Sequence, residues 1–324
     1  MKNNNDSMDY ETETEIEDSE KDAREPKKDS QLSTSILIAA IILAGTWIYT
    51  TGPRNTGNSL QSDSTQESGL TQVSSLEEAV MPSDGVVLPV SWGNLGSKLV
   101  DTGTIDSDKL KAIYSQRGFT EEYESLLSGQ NEGKLKITRE NSGYLLNLFW
   151  ALGLANKNEI LERGEMTNPA YGGPGNFAST GGWTLAVGNS MDHYSMHTLF
   201  TLTGEQQVMV DRVSRGIYRP CCGNSTHFPD CNHGMAMLGL LELMASQGVS
   251  EKEMWETALV VNSYWFPDTY VTIATYMDNN GTDWEDVDAK EVLGANYSSG
   301  SGYANIASQV ITPSDERRGN SCGV

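Results

Sequence analysis

From Leu32 to Thr50 the chain reads LSTSILIAAIILAGTWIYT, nineteen residues without a charged side chain. As a helix rising about 1.5 Å per residue, such a run matches the roughly 30 Å hydrocarbon core of a bilayer. Trp47 and Tyr49 sit near one end, where amphipathic rings favour the membrane interface. Polar sequence on both sides argues against a buried core helix. No A-x-A pattern follows, so an uncleaved signal-anchor is expected rather than a cleaved leader. Lys21, Arg24, Lys27 and Lys28 precede the run and Arg54 alone follows closely. This bias places the N-terminus in the cytoplasm and the main domain outside, in a single-pass arrangement at the cell membrane.

The apolar run divides the chain into unequal parts. Residues 1–31 form an acidic tail; its first thirty residues hold eleven Asp or Glu against five Lys or Arg. With so few apolar side chains it cannot offset chain entropy and is expected to be disordered. Residues 51–84 are rich in Ser, Thr, Gly and Gln and read as a flexible linker. Residues 85–324 are left, long enough for one ectodomain with a substantial core. The formal charge of the whole chain is −22. So acidic a chain is repelled by nucleic acid and attracts metal ions or a basic protein partner.

The expected fold class of this domain is mainly α, with long Gly-rich loops. Asp106 or Ser107 caps one helix and Thr120 another, and Thr138 precedes RENSGYLLNLFWALGLA, which reads as a buried helix. Thr203 with Gln206, and Ser250 with Glu253, have capping-box spacing. HGMAMLGLLELMASQ reads as a helix ending at Gly248, and further helices are expected over Asp268–Met277, Trp284–Leu293 and Gly302–Ile311. Only Gly85–Val90 and Lys134–Thr138 look strand-like. The stretch Asn168–Gly188 carries glycines interleaved with Tyr171, Phe177 and Trp183. It lacks the GK[ST] ending of a phosphate loop and fits a long ordered loop near a functional site better.

All four histidines and three of the four cysteines fall between His193 and His233. Cys221, Cys222, His227, Cys231 and His233 lie within thirteen residues. Such a density of thiol and imidazole is the donor set of a closed zinc site, or of copper(I) if a methionine joins, with Met235 freer to do so than Met237. His193 and His197 are four apart. On a helix their rings would share one face and could complete or support the same metal, or equally be two satisfied helix histidines. Cys231 is expected at a helix N-terminus, which favours thiolate.

Two other readings stand beside metal ligation. The first is a disulfide-stapled interaction domain without chemistry of its own, in which Cys231 and Cys322 pair with Cys221 and Cys222. The second is a thiol-dependent enzyme using Cys222 or Cys231. No catalytic residue can be assigned from spacing, and no organic cofactor motif is present. The order Pro220-Cys221-Cys222-Gly223, His227, Asp230-Cys231 resembles the uncharacterised bacterial proteins that carry a PCYCGC motif. The resemblance covers about a dozen residues, and here the first two cysteines are adjacent rather than alternating. It implies a metal-related role and carries over no catalytic residue.

Overall fold

In the computed structural model, residues 75–310 are described, apart from residues 117 and 130. The apolar run 32–50, the acidic tail and Cys322 lie outside the described residues. Among the described residues no helix is long and apolar enough to cross a membrane.

The domain is mainly helical, as the sequence leads one to expect. Its first ordered turn comes earlier than position 85: residues 75–80 are helical, and Val80 and Met81 are buried in the core. The end of the expected linker is therefore part of the folded domain. A two-stranded antiparallel ribbon follows, β1 (Val86–Gly93) against β2 (Asn131–Ile137). Alternation in β1 turns Leu88, Val90 and Trp92 inward, the period of a half-buried strand. Register shifts between Val87 and Ser91, around Pro89, which has no N–H to donate to the ladder.

Three short helices lie between the strands: α1 (Leu95–Asp101), α2 (Ser107–Tyr114) and α3 (Glu121–Ser128). Asp106 caps α2 by accepting from the N–H groups of Asp108 and Lys109, and Thr120 caps α3 by accepting from Tyr123. Then comes α4 (Ser142–Ala155), buried on nearly every face. A helix apolar all round belongs at the centre of a domain. A short α5 (Glu159–Arg163) and a loop with the small turn α6 (Ala178–Gly181) lead to α7 (Gly204–Ser214). Next are α8 (Asn232–Ser246), α9 (Glu251–Trp265) and α10 (Pro267–Asn279). Both expected capping boxes are formed, at the starts of α7 and α9.

The closing elements are the short α11 (Ala289–Val292) and α12 (Ala295–Ser298), then α13 (Gly300–Val310). Trp284–Leu293 is thus not one helix. It is a 3-10 turn at Trp284–Asp286 and a separate turn that Asp288 caps.

The core is organised on the pair α4 and α8. Where they cross, a Cβ on Gly239 would lie 2.4 Å from the Phe149 carbonyl oxygen, and one on Gly153 would lie 2.1 Å from that of Met235. Only hydrogen at these two positions lets the backbones approach so closely. The crossing holds α8 against α4, and its first turn carries Cys231 and His233 into the site.

Candidate metal centre

The loop before α8 is shaped around one side chain. Arg219 is 1 % exposed. Its guanidinium donates to the carbonyl oxygens of Asn224 (3.1 Å) and Phe228 (3.0 Å), to Asp230 Oδ1 (2.5 Å) and to Cys231 Sγ (2.9 Å). Asp230 is in turn held by Asn224 Nδ2 at 2.8 Å. A cation this buried must have its N–H groups satisfied and its charge balanced, and the loop 219–231 closes around it to do so. Gly234 completes the fit, because a Cβ there would lie 2.5 Å from Arg219 Cζ.

This wrapping brings the cysteines together. Tyr218 pairs with Ser225 in an antiparallel bridge, which makes a tight excursion with Cys221 and Cys222 on it. Gly300, at the start of α13, donates its N–H to the Cys222 carbonyl at 2.8 Å. Cys231 is the N-cap residue of α8, where the helix dipole favours negative charge. The three described cysteines are free thiols. Cys221 Sγ lies 3.6 Å from Cys231 Sγ, far beyond the roughly 2.05 Å of a disulfide.

Two groups of donor atoms converge within 4.8 Å: Cys221, Cys231 and His233, and Cys222, Asp230 and Cys231. Cys231 belongs to both. These residues could hold a metal ion. His233 packs its ring against Phe266 (centroids 4.4 Å apart) and Trp265 (5.9 Å), and its buried Nδ1 has no hydrogen-bond partner. The thiols share their protons unequally. Hydrogen bonds from Cys221 and then Cys222, helped by His233 and the Arg219 charge, hold Cys231 far below the ordinary thiol range. Cys221, hydrogen-bonded to Cys222 and Cys231, is pushed well above it. Cys231 is the most acidic thiol of the set.

The remaining histidines are placed differently from the sequence expectation. His227 is buried and does not join the cysteines. Its Nδ1 meets Glu165 Oε2 at 2.6 Å, and its Nε2 meets Asp211 Oδ2 at 2.9 Å and an Arg215 nitrogen at 2.7 Å. Arg215, and less strongly His227, holds the Asp211 carboxyl below its usual range against the opposing effect of burial. Nor do His193 and His197 sit on a helix. Ser190–Asp192 is a single 3-10 turn, and Ser195 adopts φ +53°, which breaks any helical run. The two rings nevertheless meet each other, and burial followed by the charge of His193 holds His197 below the usual imidazole range. Met235, the freer methionine by sequence, is fully buried in α8.

The Gly-rich stretch does reach the centre. Ser179 donates its N–H to the Asp230 carbonyl at 3.1 Å, and Tyr171 and Phe177 pack on Phe228 with centroids 5.4 and 5.3 Å away. On its other side the centre borders an open groove of about 770 Å³, with Trp150, Trp183, Tyr264 and Trp265 on its walls beside Asn232 and His233. Residue spacing does not single out Arg219, and it marks Asp230 only within the short motif resemblance. The signal that was there is a lone arginine opening a cysteine loop, with a glycine just after His233. No family model, curated protein or solved structure matches this chain.

Proposed function

We propose that Cys221, Cys222, Cys231 and His233 bind a transition-metal ion, zinc or copper(I), in a domain tethered outside the cytoplasm by the apolar run Leu32–Thr50. The observation that carries this is the 3.6 Å separation of Cys221 Sγ and Cys231 Sγ, with a His233 nitrogen in the same 4.8 Å group. Two sulfurs each about 2.3 Å from one tetrahedral ion stand about 3.8 Å apart. The unpartnered Nδ1 of His233 supports the same reading, since a buried ring nitrogen without a partner is costly. Three thiolates and one imidazole are a zinc donor set, and burial of Met235 in the helix core favours zinc over copper. Arg219, donating to Cys231, would offset the negative charge of the thiolates and orient that ligand.

Elemental analysis of the untagged full-length chain, with thiols counted before and after denaturation, tests the reading. The expected result is about one zinc per chain, with Cys221, Cys222 and Cys231 shielded from alkylation until the metal is chelated. A chain that holds no metal and whose three thiols react at once overturns it. For the anchor, protease treatment of intact cells should remove the domain and spare the tail.

The same 3.6 Å contact favours a second reading, dithiol exchange. Cys231 thiolate would attack a partner disulfide and release one partner thiolate. Cys221 would then displace the other partner sulfur from the mixed disulfide, leaving a Cys221–Cys231 disulfide and a reduced partner. That reading requires the oxidised pair to form and be reduced reversibly, which mass analysis after a glutathione redox titration would show.

A further inference from the structure

His193 and His197 form a second centre whose donors are separate from the cysteine set. His193 Nδ1 lies 3.0 Å from His197 Nε2. His193 Nε2 lies 3.0 Å from the Val187 carbonyl oxygen, and a carbonyl can only accept, so Nε2 carries the proton. In the neutral ring the Nδ1 lone pair is therefore the one turned toward His197. A ring whose far N–H is fixed on a backbone carbonyl is the usual arrangement of a metal-bound histidine.

Both rings are held rigidly. His197 exchanges backbone hydrogen bonds with α4 and the residues after it, His197 N to Ala155 O and Lys157 N to His197 O, both 2.9 Å. The turn before His193 is closed by a capping box between Asn189 and Asp192. Between the two histidines stands Ser195, the one non-glycine residue with positive φ among the described residues. Ser195 N donates to Leu154 O at 2.8 Å, and its Oγ accepts from Asn158 N at 3.0 Å. A left-handed serine costs of order 1 kcal/mol or more and persists only where its surroundings fix it. Here it turns the chain so that two imidazole nitrogens come face to face.

With His193 Nδ1 unprotonated the contact is a hydrogen bond donated by His197 Nε2–H, and an ion that displaced this proton would find the two nitrogens already at the separation of two ligands. Nitrogens about 2.0 Å from a metal are about 2.8 Å apart at adjacent corners of a square plane and about 3.3 Å apart in a tetrahedron. The observed 3.0 Å falls between. His193 is buried, whereas His197 is only partly so, and Asp192 and Met196 beside them are exposed. An ion there would keep open positions for water or an incoming ligand.

We infer that His193 Nδ1 and His197 Nε2 form a second, surface-accessible site for a divalent transition-metal ion, with two protein ligands and open coordination positions. The site is independent of the cysteine centre, and its test removes that centre. Zinc is titrated into the full chain with all four cysteines replaced by serine, and the imidazole nitrogen resonances are followed by NMR. The expected result is saturable movement of His193 Nδ1 and His197 Nε2 together, with His227 unmoved, and binding weakened about tenfold or more by His197→Ala. If the serine chain does not fold, the same resonances are read in the unaltered chain after a first equivalent of zinc has been taken up. Resonances of His193 and His197 that stay in place up to saturating zinc overturn the inference, as does a His197→Ala chain that binds zinc as before.

Discussion

Two buried ionisable side chains carry opposite consequences. Arg219 has its charge matched by Asp230 and the Cys231 thiolate, and removing one partner of such a set leaves the other uncompensated. Arg219→Ala is therefore expected to cost about 3–5 kcal/mol and to loosen the cysteine loop, visible as a lower Tm and faster alkylation of Cys231. Glu242 is the contrary case. It is fully buried in α8, one oxygen accepting from Asn156 Nδ2 at 2.6 Å and the other without a partner. Burial, only partly opposed by the Asn156 and Asn158 contacts, raises its carboxyl well above the usual range. The folded state therefore binds a proton that the unfolded state releases above about pH 4.3. Stability is full below that pH and falls as pH rises toward the folded pKa. Glu242→Gln should abolish this slope and, at pH 8, leave the domain at least as stable as the natural chain, by an amount on the order of 1–3 kcal/mol. Denaturant titrations of both chains from pH 5 to pH 8 check it, and parallel slopes would refute it.

Much of the element pattern was legible because it is local. The caps at Asp106, Thr120, Thr203 and Ser250 form as read, since each depends on side chains within three residues. The apolar runs of α4 and α8 likewise declared themselves. What was not legible depends on contacts distant in sequence. His193 and His197 have helical spacing, yet His197 is drawn into a bridge with Asn156, forty-one residues earlier, and Ser195 turns out of the helix to permit it. Cys221 and Cys231 meet because a buried guanidinium organises the loop between them, which residue spacing cannot convey. Gly153 and Gly239 were visible only as letters, although they set the distance between the two central helices. Gly239→Ala should destabilise the domain by about 3 kcal/mol or more, because the added methyl meets backbone rather than a yielding side chain. Gly143→Ala, which meets nothing within 4 Å, should be neutral or slightly stabilising as a helix substitution. Equal melting temperatures for the two variants would contradict this account of the crossing.

At the scale of the whole molecule, a formal charge of −22 means that folding concentrates like charges. Self-repulsion of this kind is screened by salt, since the Debye length falls from about 30 Å at 0.01 M to about 8 Å at 0.15 M. The Tm of the domain should therefore rise with sodium chloride over that range, and a flat or falling Tm would show that local ion pairs outweigh the net charge. The N–H of Gly300 on the Cys222 carbonyl has a further consequence, for the order of events during synthesis. Seventy-eight residues separate the two partners, at translation rates of about 5–20 residues per second. Each new chain thus passes several seconds with Cys221, Cys222 and Cys231 made but the backbone that braces Cys222 still unmade. In that interval Cys221, Cys222 and Cys231 are open to whatever thiol-reactive chemistry the compartment holds, so the fate of the centre is set as much by the timing of α13 as by its own residues.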